Sequence, residues 1–167
     1  MITRRGLLGS AGALLAAGAL PRTAWGSGLP DTTRAALIES GLVYLTPLKS
    51  DGAESACHAE IWFAFDGNDL YLVTAADAWR ARAIANGLDQ ARIWVGDFGN
   101  WKKAGDRFRE APELMASGTV VSDEAGIEHG LKLLGDKYSV EWVVWGPRFR
   151  GGLAEGSRVM LRYTPAV

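Results

Sequence analysis

Leu70-Tyr-Leu-Val-Thr-Ala-Ala-Asp-Ala-Trp-Arg-Ala-Arg-Ala-Ile-Ala-Asn-Gly87, continuing through Ala91-Arg-Ile-Trp-Val-Gly96, is the stretch whose reading decides the fold. Leu70 to Thr74 is β-branched and aromatic, which predicts a strand. Asp77 is placed to N-cap a helix over Ala78–Asn86, and Gly87 stands where a left-handed stop belongs. Ala81, Ile84, Ala85 and Leu88 form the expected buried stripe at i, i+3, i+4, i+7. Ala91 to Gly96 then returns as a second strand. A strand leading into a helix whose first turn carries Arg80 predicts an anion site, where backbone N–H groups, the helix dipole and a guanidinium converge. Arg82 lies two residues on, about 200° round the helix, so the two arginines flank the stripe on opposite sides. Trp79 points away from the stripe, leaving an indole for a ligand or second subunit to cover.

Working outward, Asp31 to Gly41 reads as a short helix with an Asp cap and a Gly stop. Leu42–Lys49 reads as a strand, and Asp51-Gly52 as a hairpin signal. Ser55–Phe65 is the returning strand, turned by Asp66-Gly67-Asn68-Asp69 into the Leu70 strand. Ile61, Phe63 and Phe65 alternate with Trp62 and Ala64, so both faces are apolar and both need covers. Asp97 to Lys103 reads as a turn-rich loop, with Arg107–Glu110 ending a further strand. Leu114–Ser122 is strand-like, and Asp123–Tyr138 is a helix with Ile127, Leu131, Leu134 and Tyr138 on one face. Val140–Trp145 is an apolar run that breaks at Gly146-Pro147, Arg148–Gly152 reads as a mobile basic loop, and Ser157–Pro165 is an alternating terminal strand. The expectation is a mainly β, α+β fold: a six-stranded antiparallel split barrel with two principal helices, Ala78–Asn86 and Glu124–Tyr138.

The amino terminus reads differently. Arg4-Arg5 precedes an apolar, Ala/Gly/Leu-rich run to Leu20, which resembles a twin-arginine export signal. The run is short for a bilayer core of ~30 Å. Residues 1–27 are therefore expected to be a signal segment and 28–167 the domain, with delivery by the twin-arginine export machinery to the periplasm or the extracellular space. The formal net charge is -1; setting aside Arg4, Arg5 and Arg22 takes the domain to -4. A mildly acidic domain argues against a nucleic-acid partner. Cys57 is the only cysteine, so no internal disulfide forms. One Cys and two separated histidines, His58 and His129, make no metal cluster. No nucleophile–base–acid set supports a hydrolase. Seven tryptophans in so small a chain point either to barrel filling or to a planar-ligand site.

The order strand, Thr, small residues, basic residue, short helix, strand resembles the flavin-binding split-barrel superfamily typified by pyridoxamine 5′-phosphate oxidase. Thr74 and Arg80 match that family's pattern, with Ala75 in place of a Ser and Ala83-Ile84 in place of Asn-Leu. Tyr44-Leu-Thr, Ala59-Glu-Ile-Trp-Phe-Ala-Phe-Asp-Gly-Asn, Leu133-Leu-Gly-Asp-Lys-Tyr138 and Leu161-Arg-Tyr-Thr-Pro165 match further family segments in order. The resemblance implies a two-fold homodimer with ligand clefts at the subunit boundary, and a site drawn from Thr74, Ala75, Trp79, Arg80 and Arg82, with Trp94 or Trp101 beside a planar ring. It implies an oxidoreductase in which FMN carries the hydride chemistry. Ala75 and Ala76 remove hydroxyl donors from the phosphate turn, which leaves a deazaflavin coenzyme, haem, or no cofactor as alternatives.

Overall fold

A computed structural model describes residues 28–166, so the expected signal segment and Trp25 lie outside the described residues. Within them the chain folds as one curled antiparallel sheet of seven strands with five α-helices. The strands are β1 (Val43–Pro47), β2 (Ala59–Ile61), β3 (Ala64–Phe65), β4 (Leu70–Ala75), β5 (Gln90–Val95), β6 (Glu113–Val121) and β7 (Arg158–Pro165). The helices are α1 (Asp31–Glu39), α2 (Trp79–Ala85), α3 (Trp101–Ala104), α4 (Glu124–Lys137) and α5 (Trp142–Ala154).

Seven strands stand where six are expected, and the expected Ser55–Phe65 strand is split between two of them. Its first half, β2, pairs with β1, and its second half, β3, pairs with β4. The spatial order is β2-β1-β5-β6-β7-β4-β3, so the two pieces form opposite edges of one sheet. Only Trp62 and Phe63 separate them in the chain. The sheet must therefore curl until its edges almost meet, and the ladder stays open between them instead of closing into the expected barrel.

Period-two alternation then has a plain physical outcome. Val43, Leu45, Phe63, Leu70, Leu72, Ala91, Ile93, Val95, Leu161 and Tyr163 fill the inside of the curl, with Ile61 and Phe65 packed against them. Tyr71, Val73, Ala64 and Met160 face outward under α4 and α5, joined by Leu131, Leu134, Tyr138 and Phe149. The two apolar faces expected of the 59–65 run are thus divided between an interior and an outer layer. At Gly130 an added Cβ would lie 2.3 Å from the Met160 sulfur and 3.1 Å from the Tyr71 ring, so α4 packs on the sheet closely enough that a side chain there would have to displace the end of Met160.

Several local expectations change. The N-cap of α2 is Ala78, not Asp77, and it makes no side-chain cap bond. On that helix Ala81 and Ala83 are buried, while Ile84 and Leu88 are half-buried and Ala85 is exposed, so its buried face is rotated from the expected stripe. Gly87 does take the left-handed conformation, at φ +79°. Pro30, not Asp31, precedes the first turn of α1, and extended Ser40 ends it. The stretch expected as loop and strand at 97–110 is α3 followed by a 3-10 helix over Gly105–Glu110. Asp123 caps α4 by accepting from the Gly126 N–H at 2.7 Å. The segment expected as an apolar run broken at Gly146-Pro147 and then a mobile loop is the 13-residue α5, with Pro147 inside it. Proline removes one helical hydrogen bond; burial of Gly146, Phe149 and Gly152 holds the helix through it.

Candidate functional site

Thr74 continues the inward row of Leu70 and Leu72 on β4 and is 3% exposed. The chain then leaves the sheet: the Ala76 N–H donates to Ser157 O at 3.0 Å and the Ala78 N–H to Ala75 O at 3.1 Å. This tight exit lets α2 fold back so that Arg80 Nη1 donates to Thr74 Oγ1 at 2.6 Å. Arg80 Nε is buried and has no hydrogen-bond partner among the described residues. A buried N–H on a charged group without an acceptor is costly, and such groups normally find one. Burial pushes the nearby Tyr163 phenol well up, and the charge of Arg80 pulls it the other way. Tyr163 is seated by Gly118, directly opposite on β6, where a Cβ would fall 2.6 Å from its ring.

Around this pair the turn is open. Ala75 is exposed and brings no side-chain donor. Trp79 is 38% exposed, and the exposed Arg82 lies with its guanidinium 5.7 Å from the indole centroid. The two arginines diverge as the helical spacing predicts: Arg80 turns back to the strand end and Arg82 outward onto Trp79. Val120 sits beside the same end of the ladder, paired with Leu161 two positions from the Thr74–Val159 pair. It has the parity of an interior residue yet is 41% exposed. Alternation alone marks Val120 as core, so the sequence carries no signal that this part of the curl is uncovered.

Trp94 and Trp101 are elsewhere. Trp94 faces outward from β5, directly opposite Tyr44 on β1, and is 2% exposed. Phe108 from the 3-10 helix packs edge-on to it at 5.3 Å and stacks on Tyr44 at 4.8 Å. Arg109 covers the Trp94 ring at 4.8 Å and is itself held by two bonds to Glu54, at 3.1 and 2.8 Å. That guanidinium keeps the Glu54 carboxyl below its usual range. Trp101 is half-buried against His58, 5.5 Å between centroids, and His58 Nδ1 pairs with Thr46 Oγ1 at 2.6 Å. The structure thus brings Thr74, Ala75, Trp79, Arg80 and Arg82 together and sets Trp94 and Trp101 in an aromatic cover on the β1–β5 face. In the strand order, β6 and β7 lie between β5 and β4. A hollow of about 690 Å³ between α4 and α5, along Glu128, His129, Lys132, Trp142 and Arg150, is lined by none of the seven.

A curled antiparallel sheet whose two edges are halves of one segment, with a short helix after the fourth strand and two helices on the outer face, is the split-barrel architecture. No protein-family model matches the sequence, and no curated protein matches it. Solved structures do share the fold. HutZ, the haem storage protein from Vibrio cholerae, matches with a TM-score of 0.56 at 13% identity, over 80% of this chain and 87% of its own. A candidate pyridoxamine 5′-phosphate oxidase from Listeria innocua matches with a TM-score of 0.53 at 15% identity, over 82% and 93%. An F420 reductase matches with a TM-score of 0.50 at 21% identity, over 83% and 97%. At these identities the common property is the fold.

Proposed function

We propose that this chain is an exported split-barrel oxidoreductase. In this reading it binds FMN or a deazaflavin coenzyme through a phosphate at the β4–α2 turn and transfers hydride to a small organic acceptor. The observation that carries the reading is Arg80: a guanidinium anchored on Thr74 with a buried Nε that lacks an acceptor among the described residues. A phosphate oxygen is the kind of acceptor a guanidinium fork takes best. The bound coenzyme supplies the hydride chemistry. The residues of the chain hold and shield it, with Arg80 on the phosphate and Trp79 and Val120 offering uncovered apolar surface beside it. A two-fold homodimer joined over that surface makes the cleft, and Thr74 to Arg82 meets the second subunit there. The likeness to an F420 reductase supports the deazaflavin form of the reading.

A second reading, a non-catalytic module holding haem or another planar ligand, is favoured by the exposed Ala75 and half-exposed Ala76, which offer a phosphate no hydroxyls. The likeness to a haem storage protein supports it. Purified protein titrated separately with FMN, coenzyme F420 and haem, and followed by absorption, decides between them. Saturable flavin or deazaflavin binding with turnover of a reductant is expected. Binding without turnover leaves the module, and binding of none of the three removes both.

A further inference from the structure

The first turns of α5 carry apolar side chains that no described part of the chain covers. Val140 and Val143 are each 79% exposed, Val144 is 53% exposed, and Pro147 is exposed as well. Val140 lies in the turn that leads into the helix, and its helical continuity is set by the Trp142 N–H donating to Tyr138 O at 2.8 Å. Positions 140, 143, 144 and 147 follow i, i+3, i+4, i+7 and so form one stripe. The opposite side of α5 is occupied, with Trp142 and Trp145 half-buried and Phe149 buried against α4 and the sheet. Two exposed charges, Glu141 and Arg148, border the stripe seven residues apart on one side. Neither is in an ion pair among the described residues. Arg148 instead lies over the Trp145 ring at 5.0 Å.

We propose that this face binds the same face of a second copy of the chain, with the two α5 helices antiparallel across a two-fold axis beside Val143 and Val144. A two-fold contact requires that if residue i meets residue j, then j meets i. Centred on this pair, Val143 meets the partner's Val144, Val140 meets the partner's Pro147, and Glu141 falls beside the partner's Arg148, twice. The charges choose the direction: in a parallel pairing the two-fold axis runs along the helices and puts the Glu141–Arg148 borders on opposite edges of the contact, so neither charge gains a partner, whereas the antiparallel pairing brings them together twice. The contact is separate from the β4–α2 surface and does not depend on any cofactor.

Sedimentation of the purified protein, its Glu141→Arg and Arg148→Glu variants, and the double reversal tests it. Each single reversal faces two like-charged pairs across the axis and is expected to weaken association at least about tenfold, whereas the double reversal restores it. Val144→Asp, which puts two carboxylates near the axis, is expected to abolish it. Wild-type mass falling from four copies to two on reversal keeps a dimer at the β4–α2 surface as well. A fall from two to one leaves α5 as the sole contact and removes the proposed subunit cleft. Single reversals that leave the mass unchanged, or a double reversal that fails to restore association lost in both singles, overturn the α5 contact.

Discussion

Lys137 and Tyr138 show what single side chains contribute here. Tyr138 Oη accepts from the Phe63 N–H at 3.1 Å and lies 2.8 and 2.9 Å from the carbonyls of Gly41 and Phe63. Its ring stacks on Trp62 at 4.7 Å. The Phe63 backbone N–H and C=O, freed where β2 breaks into β3, are thereby partnered by Tyr138 at the end of α4. Next to it, burial pushes the Lys137 amine down to about 8, while the face of Phe63, 3.5 Å from Nζ, favours the charged form. A lysine lowered in the folded state binds fewer protons there than in the unfolded chain between about pH 8 and 10.5, so its burden on stability is relieved as pH rises through that window. Burial raises Tyr138 to about 12, so the folded state keeps that proton longer and loses stability above pH 10. Urea unfolding is expected to show stability climbing from pH 8 to 10 and falling beyond; Lys137→Met is expected to flatten the climb. Arg80→Ala is expected to weaken a phosphate-bearing coenzyme by about 1.5–3 kcal/mol, the usual worth of a hydrogen bond to a charged group, and Arg82→Ala by less. Isothermal titration of both variants checks this, and equal losses would count against the assignment of Arg80.

At the level of elements, tight contacts fix how α2 closes its end of the curl. Ile84 of α2 reaches Gly118 of β6, where an added Cβ would lie 2.7 Å from Ile84 Cδ1 as well as 2.6 Å from the Tyr163 ring. Gly118→Ala is expected to cost about 1–3 kcal/mol in thermal unfolding, the usual effect of overpacking, and to displace α2 with its Arg80. A variant as stable as the parent would show that α2 yields at little cost. The elements also mark where the sequence was readable. The alternation of Ile61, Phe63 and Phe65 against Trp62 and Ala64 predicted two apolar faces that each need a cover, and Asp123 and Gly87 marked ends of helices. The 97–110 stretch was not readable as helix, because its Asp, Gly and Asn residues signal turns while its helical pieces are held by packing of Phe108 and Trp101. Nor was α5, since Gly146-Pro147 signals a break that tertiary contacts override. For the site, the spacing of Thr74 and Arg80 was legible as one local turn. The separation of Trp94 and Trp101 from it was not, because which sheet face a strand presents across two intervening strands depends on long-range pairing.

For the molecule as a whole, export and assembly are the properties to test. If the Arg4-Arg5 pair directs twin-arginine export, changing both to Lys is expected to stop it, because the charge survives and the guanidinium pair does not. Fractionation of cells expressing the double variant reads this directly, and continued export by the same route would remove the assignment. Such a route carries folded proteins, so a coenzyme acquired before export would travel with the domain, and colour in the exported fraction is expected.

The splitting of one segment between both margins of the sheet bears on solubility. An antiparallel sheet normally ends in two strands whose outward N–H and C=O groups invite another chain to pair, the first step toward fibrous aggregates. Here those strands are three and two residues long and continuous with each other. A foreign strand finds no more than a few aligned backbone groups on either side before the chain crosses over. Opening the crossover, by cutting or lengthening the chain between Ile61 and Ala64, would free β1 and β4 as long apolar templates, and the protein would then be expected to form amyloid-like deposits.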